Sequence, residues 1–197
     1  MTHHMLDFLR TFGWHVDMGG PVLEIGSYIE ENQEHLDLRQ VFPRGTVYVG
    51  VDILKGHGVD KQLDLFDQTR LNALVDDLKP KTVLCLYVLE HVWEIRRAME
   101  IFGGLWKRNP ESWLWVSTHQ TQPYHGTKNY ADYWRITGQG MQKLFESEVV
   151  GGHVLLHPDM SNPTDVVAVR PPASMGWPTK AFEKTLKLVS TCWEQLS

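Results

Sequence analysis

The stretch "VLEIGSYIEENQ" (Val22–Gln33) decides how the chain is read. Val22–Ile25 has the apolar character of a buried strand, and Gly26 ends it. A strand that runs into a glycine turn opens many nucleotide-binding α/β units. A dinucleotide fingerprint asks for small residues again two and four positions later, so that the backbone can approach a pyrophosphate. Tyr28 and Glu30 stand there instead. The stretch therefore gives a strand and a turn, and leaves the ligand open.

Outward from it, strands and helices alternate. Met5, Leu6, Leu9 and Phe12 recur at helical spacing, and Gly19–Pro21 breaks that helix before the first strand. The segment from about Ile29 to Gln40 is helix-compatible, with Leu36 as its clearest apolar contact. Further strands are expected over Val47–Asp52, Val59–Asp64, Thr82–Leu89, Trp113–Thr118, Val149–Leu156 and Asp165–Arg170. Helices are expected over Arg70–Leu78, Trp93–Lys107 and Gly140–Glu146. "TVLCLYVL" (Thr82–Leu89) is the most apolar run, as a central parallel strand covered on both faces should be. The order implies an α/β fold with a doubly wound, mostly parallel sheet of seven strands, ending in an antiparallel hairpin. "PPASMGWP" (Pro171–Pro178) reads as a linker. Phe182, Leu186, Val189, Trp193 and Leu196 then form the narrow seam of a C-terminal amphipathic helix. That helix either docks on the chain's own body or pairs two copies as a homodimer. The chain thus divides into one domain over 1–170 and a linker plus helix over 171–197.

Composition narrows the function. At 197 residues, 42% hydrophobic and 22% charged, the chain has ordinary globular chemistry. Its net charge of -5 argues against nucleic acid as a general partner. Two cysteines, Cys85 and Cys192, form no CxxC pair and suit a reducing, cytoplasmic setting. No apolar run approaches a membrane span, and the first residues lack the apolar region of a secretory signal.

Open α/β sheets bind ligands beyond the carboxyl ends of their strands. Glu24, Gly26 and Ser27 lie at or beyond the end of the first strand, Asp52 ends the second and Asp64 the third. The fourth ends near Leu86-Tyr87, followed by Leu89-Glu90-His91. An acid at the end of the second strand is placed to accept ribose hydroxyls. In this order "VLEIGS", "YVGVDI", "GVDKQLDLFD", "LCLYVLEHV" and "PYHGTKNYADYWRITGQGMQKLF" resemble the class I S-adenosylmethionine-dependent methyltransferases, in their small methyltransferase-domain branch. The resemblance covers roughly Pro21 to Arg170 and implies a Rossmann-like fold with S-adenosylmethionine as cofactor. It implies Glu24 and Gly26 near the methionine portion, Asp52 on the ribose with Ile53 against adenine, and Asp64 at the adenine amine beside Leu65, while Ser27 by its hydroxyl can bond the cofactor or cap the next helix. Tyr87 would line the same pocket. The absent glycines count against a pyrophosphate, which this cofactor lacks.

The resemblance implies methyl transfer to an oxygen or nitrogen of a small-molecule or sugar-like acceptor. The donor is already activated, so the protein positions the acceptor and takes its proton. His91, His119 and His125 are the candidate bases, with Glu90 beside them. Tyr124, His125 and Tyr130, in the aromatic loop, are the candidate acceptor contacts. Some relatives bind a divalent ion through Glu-x-x-Glu-His and a later His. Here Tyr87 replaces the first Glu, so no metal is expected. The rival readings are a catalytically weak scaffold subunit of the same fold and an NAD-dependent oxidoreductase.

Overall fold

The computed structural model describes residues 3–16, 18–149, 153–156 and 165–175. Helix α1 (His3–Val16) leads into β1 (Val22–Ile25). Then follow β2 (Tyr48–Asp52), β3 (Lys61–Gln62), α2 (Gln68–Leu78), β4 (Thr82–Leu86), α3 (Ile95–Arg108), β5 (Trp113–His119), α4 (Gly138–Glu148), β6 (His153–Leu156) and β7 (Asp165–Arg170). The strands form one sheet in the order β3-β2-β1-β4-β5-β7-β6. β1 pairs in parallel with β2 on one side and β4 on the other, so strand order reverses between β1 and β4. β7 enters antiparallel between β5 and β6, as the expected terminal hairpin requires.

Two cores hold the sheet. On one side Leu23, Ile25, Val83 and Cys85 meet Leu71 and Val75 of α2, Phe102 and Leu105 of α3, and Phe145 of α4. On the other, Leu84, Trp113, Trp115 and Val169 meet Met5, Leu6, Phe8 and Leu9 of α1, with Leu36, Leu38 and Phe42. Both faces of the central strands are thus dry, which explains why Val83–Leu86 of β4 and Trp113–Val116 of β5 are unbroken apolar runs. Cys85 is a buried free thiol within this packing.

The segment after β1 departs from the expected helix. It forms two short 3-10 turns, Glu34–Leu36 and Leu38–Val41, with no α-helix between β1 and β2. Asn32 takes a left-handed φ of 68°, and Asp37 accepts from the Arg39 amide to start the second turn. Both compete with the helical ladder. Leu36 is buried as its pattern suggested. The third strand shrinks to Lys61–Gln62, the fourth ends at Leu86, and the sixth starts at His153. Linker residues Ala173–Met175 form a 3-10 turn, and the C-terminal helix expected beyond them lies outside the described residues. Among the described residues no helix is long and apolar enough to cross a membrane.

Candidate active site

A cavity of ≈ 810 Å³ opens beyond the carboxyl ends of β1, β2 and β4, where the strand order reverses. One wall is the turn after β1. Gly26 leaves the strand at φ +81, and a Cβ there would come within 2.1 Å of Val88 Cγ2. Only glycine fits that position. Ser27 Oγ is buried with no hydrogen-bond partner among the described residues. Tyr28 occupies the site of a missing glycine without closing the cavity. Its amide donates to Asp52 Oδ2 at 3.1 Å, and its ring lies against Gly56.

Asp52 ends β2 with Oδ1 accepting from the Leu54 amide at 2.8 Å. Burial raises its carboxyl above the usual range, and the backbone donors pull it back. A carboxylate held by two amides still has free lone pairs for a ligand. Ile53, Asp64 and Leu65 continue the same wall. Beneath it, Glu24 accepts from the Tyr48 hydroxyl at 2.7 Å. Burial pushes the Glu24 carboxyl up to about 8, against the lowering effect of Tyr48 and Arg39. Arg39 lies over the Tyr48 ring and pairs with Asp60, whose carboxylate also accepts from the Gly50 amide. Tyr48, Arg39 and Asp60 were not foreseen as parts of the site.

The opposite wall carries the imidazoles. Tyr87, the residue after β4, adopts φ +58, a rare conformation for an aromatic residue. Its hydroxyl donates to Asp165 Oδ2 at 2.9 Å, and its ring lies 4.5 Å from that of His119. His119, the last residue of β5, places Nδ1 2.8 Å from Asp165 Oδ1. The carboxylate fixes the proton on Nδ1 and leaves the Nε2 lone pair free. Nε2 is 3.6 Å from Oε1 of Glu90. Glu90 is fully buried, and burial raises its carboxyl to about 7. Thr118 donates to its Oε2. Burial also lowers the pKa of His91 and His119, against the raising effect of the Ala131 carbonyl and of Asp165.

The loop after β5 completes this wall. Asp132, inside the loop, takes a bidentate contact from Arg135 and accepts from the His125 amide. Tyr133 and Trp134 amides both donate to the Glu90 carbonyl, and Trp134 Nε1 donates to the Val92 carbonyl. These bonds clamp the loop to the turn Leu89–His91 and bring His125 and Tyr130 against His91, at ring separations of 5.1 and 4.4 Å.

All eight residues assigned to a cofactor line this cavity, as do His91, His119, His125 and Tyr130. Tyr124 does not. It is 76% exposed, and its hydroxyl folds back over Gly126. Asp165 and Thr118 escaped sequence reasoning because each acts through a partner far away in the chain, and Asp132 because its partners His125 and Arg135 meet it only through the fold of the loop.

Residues 1–149 match a family described as a methyltransferase domain. The chain belongs to this family. The methyltransferase fold is seen again in solved structures of low identity. One is a putative methyltransferase from Thermobifida fusca YX, with 14% identity over 86% of this chain and 81% of that one, TM-score 0.55. A second is a SAM-dependent methyltransferase from Archaeoglobus fulgidus, with 13% identity over 84% and 91%, TM-score 0.54. A third is the 1,6-didemethyltoxoflavin-N1-methyltransferase of Burkholderia thailandensis, with 11% identity over 85% and 77%, TM-score 0.51. No curated protein matches the sequence.

Proposed function

We propose that this methyltransferase moves the methyl group of S-adenosylmethionine to an oxygen or nitrogen of a small-molecule or sugar-like acceptor. The observation that carries this reading is the two-walled cavity at the β1/β4 reversal. Acids and a glycine turn line one side, and imidazoles line the other. Its volume is in the range of small-ligand sites. The Burkholderia relative holds 1,6-didemethyltoxoflavin and S-adenosylhomocysteine, which supports a small acceptor.

The residues fit the cofactor. Gly26 lets the backbone approach it, and the free lone pairs of Asp52 suit ribose hydroxyls. Ile53 and Leu65 would flank the adenine, with Asp64 at its amine. Ser27 Oγ and Glu30 Oε1 are both buried without a partner among the described residues. They would take the polar methionine end, where the Glu30 carboxylate matches an ammonium group. No phosphate cradle is needed. Once bound, the sulfonium supplies an activated methyl group.

The chain's own work is on the acceptor. Tyr130 and His125 would hold it against the wall, and His91 would orient its polar edge. His119 Nε2, kept unprotonated because Asp165 holds the proton at Nδ1, would accept the acceptor's proton. Trp93, Tyr133 and the clamped loop line the same cavity and would shield a bound acceptor from water.

The test is transfer from methyl-labelled S-adenosylmethionine to a panel of hydroxylated, amine-bearing and sugar-like small molecules. We expect labelled product with at least one class, and its loss in His119→Ala while S-adenosylhomocysteine affinity is kept. Cofactor binding with no transfer to any acceptor would favour the scaffold reading.

A further inference from the structure

We propose that Trp93 is a stacking platform for a glycosyl unit of the acceptor, bound at the mouth of the cavity and away from the reacting group. The proposal rests on the methyl-transfer reading for the reacting end of that acceptor, while the sugar binding stands by itself.

Exposure supplies the first reason. Ile53, Trp93 and Tyr133 are 60%, 65% and 48% exposed, and all three line the same cavity. Single exposed apolar residues are ordinary, but several at one mouth mark a ligand surface. The adenine proposed above would cover Ile53. Trp93 and Tyr133 belong to the other wall, where the Tyr133 amide is bonded to the Glu90 carbonyl. They need a different occupant, and the acceptor is the ligand on that side.

The second reason is that Trp93 is held ready. The Trp134 indole stacks on it, with ring centroids 5.1 Å apart and planes at 22°. Trp134 is itself fixed, because its Nε1 donates to the Val92 carbonyl at 2.9 Å. The Tyr133 ring meets Trp93 at 5.4 Å and 66°. Among the described residues no other ring stacks on Trp93. Trp134 thus takes one face of the indole and leaves the other for a ligand. A ring held in place beforehand loses little freedom when a ligand stacks on it.

The polar groups around the indole choose the ligand. Trp93 lines the cavity and also an open cleft of ≈ 570 Å³ beside it, together with Glu94, Arg96, Arg97 and Glu100. Arg97 Nη1 donates to Glu94 at 3.1 Å, and its guanidinium lies over the Phe66 ring. Its Nε and Nη2 make no hydrogen bond among the described residues. Arg96 reaches Glu148 at 3.6 Å. Two cations and two carboxylates therefore surround one exposed indole. An anionic ligand would meet Glu94 and Glu100, and a cationic one Arg96 and Arg97. A plain aryl ring would stack but leave all four unused. A pyranose has neighbouring hydroxyls that both donate and accept. Its C–H face also suits the negative face of an indole.

The test is NMR of the full chain, isotope-labelled at the tryptophan indole nitrogens, with and without saturating S-adenosylhomocysteine. The probes are the methyl glycosides of glucose, galactose, mannose, xylose and rhamnose, with phenol as the plain aryl ring. Loss of a resonance in Trp93→Phe identifies the Trp93 indole N–H. We expect at least one glycoside to move that resonance saturably, and phenol to move it less at equal concentration. Trp93 belongs to neither buried core, so its replacement leaves the packing intact. Read at the Trp134 indole, the glycoside should bind roughly 2- to 13-fold more weakly to Trp93→Ala and to Arg97→Ala. Calorimetry should show S-adenosylhomocysteine affinity unchanged in both variants. An unmoved Trp93 resonance with every glycoside, an equal response to phenol, or equal glycoside affinity in Trp93→Ala would overturn the proposal. So would a parallel loss of S-adenosylhomocysteine affinity in Trp93→Ala, which would make Trp93 a cofactor contact. S-adenosylhomocysteine binding by the native chain alongside any of these results would leave the methyl-transfer reading standing. Its absence would sink that reading, while the glycoside titration without it still decides the platform.

Discussion

Replacing Glu24 by Gln should stabilise the protein, and only above mildly acidic pH. Glu24 sits within β1, 7% exposed, with the Tyr48 hydroxyl as its partner. Burial raises its carboxyl from 4.5 to about 8 in the folded chain. Between those values the folded chain keeps a proton that the unfolded chain has lost. Stability therefore falls as pH rises through this window and stays low above it. At about 1.4 kcal/mol per pH unit, the full window sets a ceiling of roughly 5 kcal/mol. Gln keeps the shape and an acceptor for Tyr48 but cannot ionise. Even half the ceiling would raise Tm by roughly 5–10 °C in a domain of this size. Thermal melts of both proteins at pH 5 and pH 8.5 provide the assay. We expect near-equal Tm values at pH 5 and a clear gain for Glu24→Gln at pH 8.5. A gain of the same size at both pH values, or a loss at pH 8.5, would refute the reasoning.

Other perturbations probe the rest of the site. Asp52→Ala removes a charged acceptor from the proposed ribose position. Calorimetry should show S-adenosylhomocysteine affinity falling by roughly 10- to 150-fold. Gly26→Ala places a Cβ against Val88 at a left-handed φ. The backbone term alone costs about 1–2 kcal/mol, read as a lower urea midpoint, and cofactor binding should weaken with it. Arg135→Ala leaves the Asp132 carboxylate, whose side chain is 1% exposed, without its bidentate donor. An unsatisfied buried acceptor costs about 1–3 kcal/mol, so amides of the loop between β5 and α4 should exchange roughly 5- to 150-fold faster with deuterium. Nitrogen NMR at pH 7.5 should find the His119 proton on Nδ1. A proton on Nε2 would remove this residue as the proton acceptor.

The central sheet was legible because parallel strands buried on both faces are strongly apolar, as Val83–Leu86 of β4 and Trp113–Val116 of β5 are. The acids at strand ends were legible too, since the fold brings those ends to one edge. The segment after β1 misled. Its residues tolerate a helix, but Asn32 and Asp37 favour local turns, and burial of Leu36 is satisfied without a helix. Tyr28 resisted reading for a related reason. Its amide, which no sequence pattern displays, makes the bond to Asp52. The partners of the histidines lay deeper still. Asp165 is 46 residues from His119 and 78 from Tyr87, and nothing local marks it as more than a strand's first residue. Tyr124 looked like an acceptor contact by its place in the loop, yet the Arg135–Asp132 brace presents His125 to the cavity and not Tyr124.

The central claim is that the cavity at the β1/β4 reversal holds S-adenosylmethionine. Calorimetry of the full chain with S-adenosylhomocysteine, and separately with NAD, tests it most directly. The account predicts one-to-one binding of S-adenosylhomocysteine that Asp52→Ala weakens, and no heat with NAD. Absence of heat with S-adenosylhomocysteine, or saturable binding of NAD in its place, would contradict it.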